Sequence, residues 1–196
     1  MLCVASNVRL FEALLQADTG AFRRTWDLFG LFLDLFGLAE LPSAAVLSFQ
    51  RRLNGRPLLG IHFRAGNETR WSDPARHSLA ELDLALSCAA QVERELNLEA
   101  AWLLASDTLL ARRHPAVEAL HSAGKVVYLE QRPTHIDRSS PDLEAIVETW
   151  ALWWVLAFHT EALLLSHSNF GWSAAEIGQR RAFHFPSCRV ADVTSP

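Results

Sequence analysis

His62, Arg64 and Gly66 stand at alternate positions in "GIHFRAGN" (60–67), at the end of an apolar run. Residues two apart in an extended segment point to the same side, so an imidazole and a guanidinium share a face there. Arg64 carries a permanent charge on a planar fork suited to bidentate contact with phosphate oxygens. Gly66 would let the backbone come close to a ligand. The chemistry this allows is the holding of an anion, and Asn67 opens the polar loop that follows (67–77). A plainer reading stands beside it. Arg64 pairs with an acid such as Asp73 or Asp107, and His62 is a satisfied core histidine.

A second group lies in "LLLSHSNFG" (163–171). Ser166 and Ser168 offer hydroxyls, and a helix starting near Asn169 and Phe170 would aim its free N–H groups and positive dipole end at the same spot. Ser168 or Asn169 can also be a simple helix cap, and capping and ligand binding are compatible. Asp107 ends "WLLASD" (102–107). It either caps the helix that follows or accepts from a base or ribose. The loop "THIDR" (134–138) carries a His, an Asp and an Arg, and reads equally as a solvated turn.

These groups need elements to position them. Residues 6–53 read as helical, with "LFGLFLDLFGLAEL" (28–41) as a buried amphipathic helix, because Asp34 and Glu40 interrupt it and it is shorter than the ~20 residues of a membrane span. From residue 56 the pattern changes. "RPLLGIHF" (56–63), "AAWLLAS" (100–106), "KVVYLE" (125–130) and "EALLLS" (161–166) are short apolar runs, the mark of strands covered on both faces. Helical stretches separate them: 78–96, 107–124 and 142–159. A short helix at 169–179 and a last strand "RAFHF" (181–185) follow. This alternation predicts an α/β fold, a Rossmann-like, mainly parallel sheet with helices on both faces. Residues 1–55 read as a helical N-terminal segment, either an appended layer or the tail of a neighbouring domain, and 56–196 as the Rossmann-like domain. In such a sheet ligands bind beyond the carboxyl ends of the strands, where the groups above fall.

Composition narrows the function further. The 196 residues are half hydrophobic, with a formal net charge of −4, which makes no electrostatic case for nucleic acid or acidic membranes. Three cysteines at wide spacing without a CxxC argue against a disulfide framework and leave room for one pair. The start of the chain lacks the features of a signal peptide. There is no GxSxG, P-loop, HExxH or GxGxxG, and the eight histidines show no metal-ligand spacing. "WALWW" (150–154) reads as helix packing rather than a base-stacking platform.

In order and spacing, these motifs resemble those of the fucosyltransferase superfamily that includes protein O-fucosyltransferases, α1,6-fucosyltransferases and plant and algal xyloglucan-type enzymes. "GIHFRAG" (60–66) is similar to its His-x-Arg-x-Gly motif, "LLASD" (103–107) to its second strand end, and "LLLSHSNFGWSAAEIG" (163–178) to its Ser-x-Ser-x-Phe motif. "WSDPARH" (71–77) looks most like the plant and algal branch. The resemblance covers most of residues 28–185. It implies the C-terminal, donor-binding half of a GT-B glycosyltransferase that binds GDP-fucose, uses no metal or other cofactor, and transfers fucose with inversion to a glycan or glycoprotein acceptor. Arg64 would contact the diphosphate and stabilise the leaving group. His62 and Gly66 would line the site, Ser166, Ser168, Asn169 and Phe170 would hold the phosphates at the helix start, and Asp107 would contact the nucleotide. Asn67 stands where many relatives have Asp, and the relatives' N-terminal half has no counterpart here. Relatives work in the Golgi or ER lumen behind a signal or anchor that this chain does not display. The alternative is a nucleotide-sugar or carbohydrate-binding half-domain, from a truncated gene, that does not turn over.

Overall fold

The computed structural model describes residues 40–66, 74–129 and 143–191. Asn67 and Asp73, the "THIDR" loop and the helices expected before residue 40 lie outside these. The described residues form an α/β fold. Its six-stranded sheet has the order β3-β2-β1-β4-β5-β6, with β1 at Leu58–Phe63, β2 at Ala101–Ser106, β3 at Val126–Val127, β4 at Ala162–Leu165, β5 at Arg181–His184 and β6 at Arg189–Val190. β1 pairs in parallel with β2 and β4, as do β2 with β3 and β4 with β5; only β6 runs antiparallel, against β5.

Every residue of β1 is buried, which explains its unbroken apolar run: both faces of a parallel sheet are covered. Leu59, Ile61 and Phe63 join a core with Leu82, Ala85, Ala89 and Val92 of α2 (Leu82–Glu95). Residues of the opposite parity face the helices α4 (Leu143–Phe158) and α5 (Asn169–Ile177). On that side α1 (Glu40–Leu53) buries Val46, Phe49 and Leu53 and packs along α4. Gln50 Nε2 lies 2.8 Å from His159 Nδ1 just past the end of α4. α4 and α5 are joined by Trp153, whose indole N–H donates to Ser173 Oγ at 3.0 Å, so this part of the tryptophan cluster packs helices.

Three expectations are corrected in detail. The helix expected over 107–124 is broken: Thr108 caps a 3-10 turn at Leu109–Arg113, and α3 (Pro115–Ser122) begins afresh with proline at its start, where the missing N–H costs nothing. The strand expected over 125–130 keeps only two paired residues, because Tyr128 turns its ring onto His121, 4.5 Å away, with Arg112 over its face at 4.9 Å. β6 was not foreseen; its two residues are exposed and carry no alternation. One disulfide, Cys88–Cys188, joins α2 to the turn between β5 and β6. Among the described residues no helix is long and apolar enough to cross a membrane.

Candidate functional site

β1 is the strand at which the sheet order reverses: the chain goes from it to β2 on one side and later to β4 on the other. The carboxyl ends of β1 and β4 therefore flank the crevice where open α/β sheets take ligands. His62, Arg64 and Ser166 lie at these ends.

Ser166 ties the two ends together. Its N–H donates to His62 O at 3.0 Å, and its hydroxyl accepts from Arg64 N at 2.8 Å. The residue is fully buried. Its hydroxyl thus shapes the backbone that carries Arg64.

His62 is 6% exposed, and its ring lies 5.6 Å from that of Phe170 in the first turn of α5. Burial, with the charge of Arg64 as a smaller cause, lowers its pKa to about 3. The imidazole is therefore neutral at ordinary pH and adds no charge to the site. Its Nδ1 is buried and has no hydrogen-bond partner, so His62 is a core histidine that is not satisfied at both nitrogens.

α5 begins beside it. Ser168 is the N-cap in extended conformation, and its side chain makes no capping hydrogen bond. The first backbone bond of the helix runs from Trp172 N to Ser168 O at 3.1 Å. The amides of Asn169, Phe170 and Gly171 thus precede the ladder, the arrangement in which a helix start attracts an anion. Gly171 is buried against the His62 ring, which sets the helix start directly over the imidazole.

Across β1, Asp107 follows β2. Its Oδ1 accepts from Ala65 N and its Oδ2 from Gly66 N, both at 2.8 Å, while Oδ2 also lies 3.3 Å from Arg64 Nε. Gly66 has φ +66, and a Cβ there would collide with Pro74 O. The glycine is required by this turn and by the return of the loop, in which Arg76 N and His77 N both donate to Ala65 O. The fold thus accounts for a glycine here, where close approach of a ligand was the reason expected.

The structure therefore brings His62, Arg64, Gly66, Asp107, Ser166, Ser168, Asn169 and Phe170 to one end of the sheet. Gly171 and Ala65 belong there too and were missed. The small residue one helical position after "SNF" was the only available signal for the first, and the second acts through its backbone. Among the described residues there is no cluster of three or more His, Cys, Asp or Glu side chains that could hold a metal.

No family model matches the chain, and no curated protein matches it. Among solved structures, a mutant of Arabidopsis thaliana FUT1 in complex with GDP is similar over 81% of this chain and 35% of its own, with 16% identity and a TM-score of 0.47. A likeness of that degree carries nothing about function. This chain spans about a third of the length of that one.

Proposed function

We propose that the chain holds a nucleoside diphosphate sugar at the β1–β4 crevice, and that the sugar is the fucose of GDP-fucose, transferred with inversion to a hydroxyl of a glycan or glycoprotein acceptor. The observation that carries the reading is the convergence of one buried-edge arginine and one helix start on the switch point of the sheet. The identity of the sugar rests on the motif resemblance alone. Arg64 has 17% of its side chain exposed, enough to reach a ligand while its stem is fixed.

In the proposed reaction the bond from the anomeric carbon to the β-phosphate oxygen breaks, and GDP leaves with the electron pair. An acceptor hydroxyl attacks from the opposite face and loses its proton. Negative charge grows on the leaving phosphate, and Arg64 with the amides of Asn169 and Phe170 is aimed to absorb it. Such preorganised donors are worth about 10²–10³ in rate each. Neutral His62 would form the apolar floor beneath the sugar–phosphate, and Ser168 would lend its uncommitted capping hydroxyl to a phosphate oxygen.

Calorimetry with GDP and GDP-fucose tests this, comparing the unmutated chain with Arg64→Ala. Binding that the substitution weakens by about 100-fold or more supports the donor site, and folded protein that binds neither ligand overturns it. Fucose transfer to supplied glycan acceptors then separates a transferase from a half-domain that binds without turnover.

A further inference from the structure

Ser168 leaves the amides in the first turn of α5 unclaimed, because its side chain makes no capping hydrogen bond. A capping side chain takes the second or third amide of a helix, and the third here is Gly171 N–H. The buried Nδ1 of His62, which has no hydrogen-bond partner, lies against the same glycine. Among the described residues, two polar groups without a partner therefore meet at one point, the mark of a place kept for a ligand. The other end of that peptide unit is engaged. The carbonyl in the same plane as Gly171 N–H belongs to Phe170, and it accepts from Ser173 Oγ at 3.1 Å. Ser173 Oγ accepts in turn from the indole N–H of Trp153 at 3.0 Å. A carbonyl oxygen has two lone pairs, so this bond need not displace a helical one. Trp153 is 6% exposed, and Trp150 stands nearly at right angles to it, 5.8 Å away, so water has little access to the start of the relay. Hydrogen bonds in series polarise one another. Electron density drawn toward the Phe170 oxygen leaves Gly171 N–H more positive.

We propose that Trp153 and Ser173 are positioning residues for the anion site: their relay orients and polarises Gly171 N–H as a donor to a phosphate oxygen. Neither side chain touches the ligand. The proposal rests on the donor-site reading above and adds to it a third amide of the helix start. It asks nothing of Arg64. It also gives a part of the tryptophan cluster a task beyond packing α4 on α5.

Ser173→Ala in the full chain removes both bonds of the relay and little bulk. In 15N-labelled protein its Gly171 amide proton is expected to move upfield. The amide protons of Asn169 and Phe170, whose peptide carbonyls lie outside the relay, should keep their shifts. A loss of packing alone would move all three together. GDP binding, measured by calorimetry, should weaken about 3- to 10-fold, the worth of roughly one hydrogen bond. Ser173→Thr keeps the hydroxyl and should restore the affinity. Trp153→Phe should weaken GDP as well, yet cost nothing further in the Ser173→Ala background, since members of one network are not additive. Unchanged GDP affinity in Ser173→Ala, or a Gly171 resonance indifferent to it, overturns the proposal while leaving the donor site intact. A failure of the unmutated chain to bind GDP removes both.

If Ser173→Ala does not fold, the unmutated protein still decides. On saturation with GDP, the Gly171 amide proton should move downfield and show coupling to a 31P nucleus across the hydrogen bond. A Gly171 resonance that GDP leaves in place overturns the proposal.

Discussion

Gly171 and His62 meet with no side chain between them: a Cβ at Gly171 would stand 2.9 Å from His62 Nδ1 and 2.9 Å from Leu165 Cδ2. The first turn of α5 consequently rests on the imidazole, and the imidazole on the sheet. Gly171→Ala must push one of these apart. Overpacking of this kind costs roughly 1–3 kcal/mol. A urea unfolding midpoint lowered to match is the expected result, together with weaker GDP binding as the helix start is displaced.

The burial of His62 sets a pH dependence of stability. The folded protein keeps the ring neutral down to about pH 3, whereas an unperturbed histidine takes up its proton near 6.5. Between these values the unfolded chain binds more protons than the folded one, so stability rises with pH there. The contribution is fully present above about pH 6.5 and is lost as pH falls toward 3, by up to about 1.4 kcal/mol per unit. Denaturant unfolding followed from about pH 7 to about pH 4 should show this slope. In His62→Gln the slope should be reduced.

Gly66 carries a separate prediction. Gly66→Ala places a Cβ on Pro74 O in a left-handed backbone position, and alanine cannot relieve the clash by rotating. A cost on the order of 1–3 kcal/mol follows from the strained conformation alone. The turn that carries the Ala65 and Gly66 amides to Asp107 should open with it, so loss of GDP affinity is expected to exceed that of Gly171→Ala. Parallel thermal unfolding and calorimetry of the two variants check the order.

The disulfide can be read chemically. Of the three cysteines, Cys88 and Cys188 are joined, so alkylation of denatured, unreduced protein should modify Cys3 alone. Reduction, or Cys188→Ser, should cost about 2–5 kcal/mol, the usual range for a native disulfide. A denaturant midpoint indifferent to reductant would contradict the pairing.

What the chain displays to a reader of sequence is mostly the part decided locally. β1 and β2 are continuous apolar runs because both their faces are covered, and that needs no knowledge of partners. The helix break at Pro115 was also written locally, by a residue that cannot continue a helix, yet the amphipathic pattern running through it concealed the stop. The pairing of Asp107 with Arg64 was one of the readings open in the sequence. Its two backbone donors, Ala65 and Gly66, were not legible: they lie more than forty positions away and meet it only because β1 and β2 pair in register at His62–Ala105 and Phe63–Ser106. His62 could be read as ligand or as satisfied core, and its place between Phe170 and Gly171 fits neither description. β6 left no trace, since two exposed residues have no periodicity to show.

The Cys88–Cys188 bond, spanning 100 residues, closes a covalent ring that contains β2, β3, β4 and β5. β1 is outside it. The strand that delivers His62 and Arg64 therefore sits between two strands of the ring, β2 and β4, and is gripped there by hydrogen bonds and packing alone. A break in the backbone anywhere inside the ring would release no fragment. The arginine at the centre of the site, by contrast, is retained by a strand that, like the short edge strand β6, the covalent loop does not enclose.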